Sequence, residues 1–417
     1  MSTSVASRKD VKDIVYLVLL QGLNYAIPII VLPYLIDILQ PERYGYFGFA
    51  LSVCQYLVMF VDFGFNLSAT KRLSLHKDDT ERFNRIFSAT VYAKMILLLI
   101  SLLFLVCISL IPQYEAYRTI LFIMFIMVLG NTFLFVFLFQ STGNIKWVSI
   151  ANAIAKLTIL PLTFIFVRTP DDYLKAAYIH GSVYVFAALI SIIVLVRHKL
   201  ARLVNVSMSE VRNETKESVP IFLSQAATSV YTVFFVMTLG YFSTPVEVGL
   251  YSAVERIMRA LCCLGLIPIL QVYYPKVSQL SVTDRAYAFT VARKILWAVL
   301  VYMTLLSASL FAFFPYLLQL FGSQYSAAVG ISRVMSIIPI FIGTGGVLGQ
   351  LYLLALGDSS GKRNFSITYF IVAIVSIVLV LWLTPSMESM GTAISLFIAE
   401  LLVAILMFYF VKRNVRI

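Results

Sequence analysis

Charged residues are scarce in this chain of 417 residues, and their scarcity decides its class. Asp, Glu, Lys and Arg make up 12% of the sequence, whereas 60% of the residues are apolar and the mean hydropathy is +0.91. Because an average soluble domain has about 25% charged residues, this chain lacks the polar surface that a water-exposed globule needs. The composition therefore excludes a soluble enzyme, a disordered protein and a nucleic-acid binder.

Cysteine is scarce as well. The four cysteines all lie in apolar stretches, at Cys54, Cys107, Cys262 and Cys263. None has the Cys-x-x-Cys or Cys/His spacing that is typical of a metal site. We interpret them as small core residues, and we expect no metal site, no disulfide framework and no cofactor.

Long apolar runs dominate the sequence. A bilayer core needs about 20 mostly apolar residues per helix, because lipid offers no hydrogen-bond partner to the backbone. Twelve stretches meet this condition: 14–37, 44–67, 86–111, 119–140, 148–167, 175–197, 219–242, 249–273, 294–315, 327–350, 365–384 and 391–411. The longest connection, about 198–218, is polar and basic. The sequence thus predicts an all-α polytopic membrane protein with twelve transmembrane helices.

The basic residues of the connections predict the orientation. With the N-terminus inside, the inner connections and termini carry 23 Lys and Arg, and the outer connections carry 4. Cytoplasmic connections carry the excess of Lys and Arg in membrane proteins. We therefore expect both termini in the cytoplasm, and most of the +12 net charge reflects topology.

The two halves of the sequence resemble each other at an offset of 204 residues. This offset pairs Gln21 with Gln225, Pro41 with Pro245, Gly45 with Gly249, and Phe47 with Tyr251. Six spans per half give both copies the same orientation, and parallel repeats of transporters are related by an axis along the membrane normal. We therefore predict two six-helix bundles, 1–205 and 206–417, related by a pseudo-two-fold axis with the substrate path between them. The alternative is a chance similarity of two helical hairpins.

Eight ionisable residues fall within the predicted spans, where charge is costly and marks candidate functional groups. The cations are Lys94, Lys156, Arg256, Arg259 and Arg333, and the carboxylates are Asp62, Glu255 and Glu400. The surplus of two positive charges suits an anionic ligand better than a cationic one. The sequence therefore predicts these cations as substrate-binding residues, and the carboxylates as groups for ion coupling or charge balance. It indicates no catalytic residue.

Each of these assignments has a structural alternative. Lys94 and Lys156 could extend toward lipid headgroups, and Glu255 and Arg259, four residues apart, could neutralise each other. Asp62 could be a structural anchor near the membrane interface. Glu400 has no partner on its own helix, which makes it the best candidate for proton coupling.

Several strings resemble the bacterial O-antigen and polysaccharide flippases, the Wzx-like members of the multidrug/oligosaccharidyl-lipid/polysaccharide exporter superfamily. The most specific lie near the N-terminus: Gln21-Gly-Leu-Asn-Tyr-Ala-Ile-Pro28, Pro41-Glu-Arg-Tyr-Gly-Tyr-Phe-Gly-Phe49, and Phe60-Val-Asp-Phe-Gly-Phe-Asn-Leu-Ser-Ala-Thr70. Weaker matches follow at Pro268-Ile-Leu-Gln-Val-Tyr-Tyr-Pro275 and Gly322-Ser-Gln-Tyr-Ser-Ala-Ala-Val329. The resemblance covers essentially the whole chain.

The resemblance implies a flippase of lipopolysaccharide and polysaccharide biosynthesis in the bacterial inner membrane. Its substrate would be an oligosaccharide linked to undecaprenyl pyrophosphate, moved by alternating access with an ion gradient. A polysaccharide polymerase and a chain-length regulator are the partners that it implies, besides the lipid bilayer. These charged residues match no fixed motif of the family, so their roles rest on the charge argument above. On that argument, Lys94 and Lys156 would receive the pyrophosphate from the inner leaflet, and the three arginines would pass it to the outer one.

Two other functions stay open at this point. A multidrug or cation antiporter of the same superfamily would need an acidic cavity, which the surplus of cations disfavours. A membrane polysaccharide polymerase would be an enzyme, and such enzymes are expected to carry a large outer loop. Every outer connection here is short, so we expect a transporter and not an enzyme.

Overall fold

Helices account for all the regular structure of residues 8–414, which the computed structural model describes. Side chains are described over this range except at 8–26, 28–29, 145–146, 148–149, 224, 227–232, 359 and 414. The helices are α1 (Arg8–Asp62), α2 (Phe65–Leu75), α3 (Thr80–Ser109), α4 (Arg118–Met124), α5 (Ile126–Thr132), α6 (Val136–Ser141), α7 (Ile145–Phe166), α8 (Tyr173–Arg197), α9 (Met208–Phe242), α10 (Pro245–Thr283), α11 (Arg285–Leu320), α12 (Val329–Met335), α13 (Ile338–Val347) and α14 (Ser359–Asn414). Short 3₁₀ turns precede α4, α8 and α12, and a π-helix, Leu348–Ala355, follows α13.

Two of these helices contain a break. Gln40 in α1 has φ 57° and ψ 167°, and Glu388 in α14 has φ 48°. Gln40 precedes Pro41, and a residue before proline is pushed out of the α region, whereas proline itself suits the first position of a new helix. Each break lies between two predicted spans, so α1 and α14 each consist of two helical segments.

The prediction of an all-helical polytopic membrane protein is confirmed. Within the described range, eight helical stretches are long and apolar enough to cross a membrane: 30–75, 80–109, 112–141, 170–197, 245–283, 285–320, 338–355 and 360–413. Two shorter apolar helices, 150–166 and 233–242, accompany them. The stretches 30–75 and 360–413 include the breaks at Gln40 and Glu388. The exact count of twelve stays a prediction.

The polar connection is shorter than predicted from the sequence. Helix α9 begins at Met208, so the connection after α8 ends at about residue 207 and not 218. Ser207 and Glu210 form the hydrogen bonds of a helix start: Ser207 N donates to Glu210 Oε2 at 2.8 Å, and Glu210 N donates to Ser207 Oγ at 3.4 Å. This Ser-x-x-Glu pattern stabilises a helix N-terminus and explains why α9 extends beyond its apolar part.

The chain forms two compact units, and their boundaries lie inside helices. One unit comprises Met1–Leu32 and Ala50–Gln225, and the other comprises Pro33–Phe49 and Ala226–Ile417. Helices α1 and α9 therefore contribute residues to both units. In the first unit α8 packs against α4, α5 and α7; in the second, α10 packs against α11, and α14 against α13. The division predicted at 205/206 stays a prediction.

Two helix starts meet closely within the second unit. A Cβ atom at Gly45 would lie 1.8 Å from the Pro245 carbonyl oxygen, and one at Gly249 would lie 1.8 Å from the Pro41 carbonyl oxygen. These four residues are the pairs that the 204-residue offset aligns. The contact is reciprocal, because each glycine packs against the carbonyl group of the proline that lies four residues before the other glycine. We call this contact of Pro41, Gly45, Pro245 and Gly249 the glycine crossing.

We expect Gly45→Ala and Gly249→Ala to destabilise the second unit. Each new methyl group would overlap a backbone carbonyl, which cannot move without separating the helices, and we expect a loss of about 2 kcal/mol or more. Thermal unfolding of the purified protein in detergent measures this. Gly346→Ala is the matched control, because its Cβ would meet only the ends of Leu266 and Leu270 side chains, at 3.3 Å and beyond. Equal unfolding midpoints for all three variants would contradict the close contact.

Candidate functional site

Lys94 and Asp62 form an ion pair inside the first unit. Lys94 Nζ lies 3.0 Å from Asp62 Oδ1 and also donates to the Asn131 carbonyl oxygen at 3.3 Å. The Lys94 side chain is 1% exposed and the Asp62 side chain 22%. Lys94 therefore points into the unit, and a carboxylate and a carbonyl compensate its charge. It does not extend toward headgroups, which was the structural alternative.

A left-handed turn positions Asp62 for this pair. Phe63 and Gly64 have φ values of 43° and 79°, so α1 ends at Asp62 and α2 starts at Phe65. A positive φ favours glycine, and Gly64 has no room for a side chain, since a Cβ would lie 2.8 Å from Ile221 Cγ2. The Phe63-Gly64 turn thus fixes the position of the Asp62 carboxylate.

Lys156 and Arg333 stand apart from carboxylates. Lys156 is half-buried on α7 and Arg333 is exposed on α12. Neither forms an ion pair with another residue of the described range. They carry positive charge that no neighbouring acid neutralises, which is the property expected of an anion-binding group.

Arg259 faces two carboxylates in the second unit. It pairs with Glu255 one turn earlier on α10, and its Nη1 lies 3.6 Å from Glu400 Oε1 on α14. Glu400 is buried, with its side chain 7% exposed. The pairing of Glu255 with Arg259 corresponds to the self-neutralising alternative. Glu400, which has no partner on its own helix, receives one from α10.

Arg256 lies one residue from this group and beside the glycine crossing. Its Nη2 donates to the Gly48 carbonyl oxygen at 3.2 Å. Gly48 in turn packs on Ser252, since a Cβ at Gly48 would lie 3.0 Å from the Ser252 hydroxyl. The arginine is half-buried, and the closely packed helix starts hold its position.

The structure thus brings together two of the predicted groups: Asp62 with Lys94, and Glu255 and Glu400 with Arg259. It leaves Lys156 and Arg333 outside these pairs. No three His, Cys, Asp or Glu side chains of the described range come together to hold a metal ion. Each unit therefore contains an ion pair that compensates a charge, and a cation, Lys156 in the first unit and Arg333 in the second, that lies outside these pairs.

A further charged cluster in the first unit was missed by the sequence analysis. Arg72 Nη1 lies 2.8 Å from Glu214 Oε1, and Arg85 Nε donates to Glu210 Oε1 at 2.8 Å. A cavity of about 280 Å³ lies here, lined by Arg72, Arg82, Arg85, Ile86, Ala89, Glu210, Asn213 and Glu214. Glu210 and Glu214 are four residues apart, which places them on one face of a helix. That spacing, with the Ser207-x-x-Glu210 start, is the signal that could have found the cluster.

The two glutamates of this cluster have opposite pKa shifts. The hydrogen bond from Arg85 lowers the pKa of Glu210 to about 2, with further help from the Ser207 amide and hydroxyl. Burial raises the pKa of Glu214 to about 7; the charge of Arg72 opposes this shift, and Glu217 and Glu210 add to it. Glu214 is therefore a buried carboxyl group that titrates near neutral pH.

Removing Lys94 alone should destabilise the first unit. Lys94→Met leaves the Asp62 carboxylate without its cation, and we expect a loss of about 2–3 kcal/mol, less than for a fully buried pair because Asp62 is partly exposed. The double variant Lys94→Met/Asp62→Asn should recover much of this loss. Thermal unfolding checks it, with Lys156→Met as the matched control, because no carboxylate loses a partner there. Equal losses in the single and double variants would contradict the coupling.

The unfolding midpoint should depend on the protonation of Glu214. The pKa of Glu214 is raised from 4.5 to about 7, so the folded state binds this proton more tightly than the unfolded state. Glu214 makes its full contribution to the free energy of unfolding below about pH 4.5, and this contribution is lost as the pH rises through 7. The free energies of unfolding at the two ends of this range differ by on the order of 3 kcal/mol because of this group. Thermal unfolding between pH 5 and 8 should show a weaker pH dependence for Glu214→Gln. The exposed Asp78→Asn is the control, because Asp78 is not among the groups that shift the pKa of Glu214. An unchanged profile in Glu214→Gln would refute the shift.

Comparisons with known proteins place the chain in a family. The family described as "Polysaccharide biosynthesis protein" matches residues 11–281. The "Putative O-antigen transporter" of Escherichia coli (strain K12) is 32% identical over 405 residues, which cover 97% of each chain. A protein of the same name from Shigella dysenteriae is 31% identical over 405 residues, covering 96% of this chain and 100% of that one.

Solved structures share the fold at lower identity. The lipid II flippase MurJ in an inward closed conformation has a TM-score of 0.71 at 13% identity, covering 95% of this chain and 87% of that one. An inward-facing multidrug resistance MATE family transporter of the MOP superfamily also has a TM-score of 0.71, at 14% identity, covering 93% and 97%. These likenesses concern the fold alone, and the full-length sequence similarity carries the assignment. The chain belongs to the polysaccharide biosynthesis protein family.

Proposed function

We propose that this protein is a flippase that moves an oligosaccharide linked to undecaprenyl pyrophosphate from the inner to the outer leaflet of the bacterial inner membrane. The observation that carries the proposal is the similarity, over nearly the whole chain, to two proteins named for O-antigen transport. The chain acts as a transporter and not as an enzyme in this proposal. The prenyl tail stays in lipid while the sugar and pyrophosphate cross through the protein.

The cations recognise the pyrophosphate in this mechanism. A guanidinium group binds phosphate oxygens with paired hydrogen bonds, which suits Arg256 and Arg333 to the headgroup. Lys156 is the stronger inner candidate, since Lys94 would reach an anion only by leaving Asp62. Arg259 contributes less, because Glu255 and Glu400 already compensate its charge.

The carboxylates keep the binding reversible. A flippase must release its substrate, so an arginine that attracts pyrophosphate strongly needs a competing group nearby. Glu400 and Glu255 compete for Arg259 in this way. Protonation of Glu400 would weaken its hold on Arg259, which makes Glu400 the candidate for coupling to a proton gradient, with Asp62 in the corresponding role beside Lys94.

The finer topology belongs to the same proposal. We infer twelve spans in two six-helix bundles, 1–205 and 206–417, with both termini in the cytoplasm. The reciprocal contact at the glycine crossing supports an internal repeat, because it joins residues that are 204 positions apart. A polysaccharide polymerase and a chain-length regulator are the expected functional partners, since they use the translocated repeat unit.

A multidrug antiporter is the second candidate, because a MATE family transporter shares the fold to the same TM-score as the lipid II flippase. The two functions differ in the charge of the substrate. Five cations against three carboxylates within the predicted spans favour an anion. Proteoliposomes loaded with a lipophilic cation discriminate, since export of the cation would favour the antiporter.

Replacing the proposed pyrophosphate ligands should reduce transport. We expect Arg256→Ala and Arg333→Ala to lower surface polysaccharide about tenfold each, because a hydrogen bond to a charged group contributes about 1.5–3 kcal/mol. Arg259→Ala should have a smaller effect. The measurement is surface polysaccharide in a strain that lacks its own flippase, compared at equal amounts of membrane protein.

Arg285→Ala is the matched control for these variants. Arg285 is exposed at the first position of α11, outside the predicted spans, and its loss should leave transport unchanged. Full transport by both the Arg256 and Arg333 variants would refute the proposed role of the arginines. Polysaccharide that never reaches the surface with the unmodified chain, at normal protein levels, would refute the function itself.

A further inference from the structure

The start of helix α9 belongs to the first unit and the rest of the helix to the second. Residues up to Gln225 belong to the first unit and those from Ala226 onward to the second, so α9 passes from one to the other. Because the helix is continuous, a movement of its later part would be transmitted to its first part. We call residues 208–225 the α9 arm.

Polar contacts hold the arm at three successive turns. Glu210 accepts a hydrogen bond from Arg85, and Glu214 pairs with Arg72 at 2.8 Å. The Ser218 hydroxyl lies 2.5 Å from that of Ser68. Glu210, Glu214 and Ser218 are spaced by four residues and so share one face of the helix. Glu214 and Ser218 are buried, at 4% and 0% exposure.

An aromatic contact follows on the next turn. The Phe222 ring stacks on Phe63 with centroids 4.2 Å apart and planes 12° from parallel, and it meets Phe60 edge to face at 5.9 Å. The backbone also comes close, since a Cβ at Gly64 would lie 3.2 Å from Phe222 N. The left-handed turn at Phe63 and Gly64, which positions Asp62, thus also packs against the α9 arm.

The chemistry of these contacts suits reversible attachment. Ion pairs and hydroxyl groups can exchange their partners for water when a helix moves, because water supplies the same donors and acceptors. The cavity beside Arg72 and Glu214 gives water access to the polar part.

We propose that the α9 arm is a latch on the first unit, held by Glu214 with Arg72, by Ser218 with Ser68 and by Phe222 with Phe63, and that it must detach during each transport cycle. The role of the latch in transport rests on the proposed flippase function, whereas the contacts that form the latch do not depend on it. These side chains are positioning residues: they do not bind the lipid-linked substrate, and they determine when α9 is able to move.

A reversible cross-link tests whether the latch opens. We expect Ser68→Cys/Ser218→Cys to form a disulfide on mild oxidation, because the two hydroxyl oxygens are 2.5 Å apart. In proteoliposomes, the rate at which the reduced double variant exposes lipid-linked oligosaccharide to an external glycosidase is the reference for the oxidised form. The oxidised variant should lose at least tenfold in rate, and a reductant should restore it. Each single cysteine variant, which keeps the four native cysteines, is the control for unrelated disulfides.

Hydrogen–deuterium exchange provides a measurement that does not depend on transport. Phe222→Ala removes the aromatic contact and should raise deuterium uptake in residues 208–225, while Phe186→Ala, an exposed phenylalanine on α8, should not. Full transport by the cross-linked protein would overturn the latch, and so would failure of the disulfide to form. If the parental protein transports nothing, the flippase function fails and exchange alone decides: unchanged uptake in Phe222→Ala overturns the latch, and raised uptake supports it.

Discussion

Compensation of buried charge is the constraint on which the rest of this structure depends. Lipid offers a charged side chain no partner, so each ionised group inside a span needs one from the protein. Asp62 and the Asn131 carbonyl supply it for Lys94, and Glu255 and Glu400 supply it for Arg259. Those pairs connect α1 with α3 and α10 with α14, which places the charged helices within each unit. In the proposed function, the anionic headgroup is bound by cations outside these pairs.

The two segments that the 204-residue offset aligns pack symmetrically against each other but carry different charges. Gly45 and Gly48 contact Gly249 and Ser252, their counterparts at an offset of 204 residues. One turn further, the first copy has Ser52 and Gln55 where the second has Arg256 and Arg259. The small residues had to be kept in both copies because two backbones meet there. The charged residues were free to differ, and in this proposal the second copy uses them for the pyrophosphate.

Compensated charge also sets the strength of substrate binding. A flippase that bound pyrophosphate through fully free arginines would release it slowly, since charge-assisted hydrogen bonds are strong. Carboxylates that pair with the same arginine lower its net attraction for pyrophosphate. Protonation of such a carboxylate would raise this attraction again. The same principle operates in the α9 arm, where Arg72 and Glu214 hold a segment without fixing it permanently. Paired groups of this kind allow both attachment and release.

The sequence predicted the all-helical class and the polytopic membrane character, because apolar length and the lack of charge are local properties of a chain. The extent of α9 was wrong, since a polar helix start at Ser207 resembles a loop by composition.

Partners could not be predicted, because they depend on which faces of distant helices meet. Only the tertiary structure decided that Lys94 is buried against Asp62, that Glu400 meets Arg259, and that Glu214 faces Arg72. The sequence by itself determined that the chain is helical and apolar enough to span a membrane, and which charged residues fall within its apolar stretches. The packing of the helices decided which of these charges neutralise each other, because it brings together residues that are far apart in the chain.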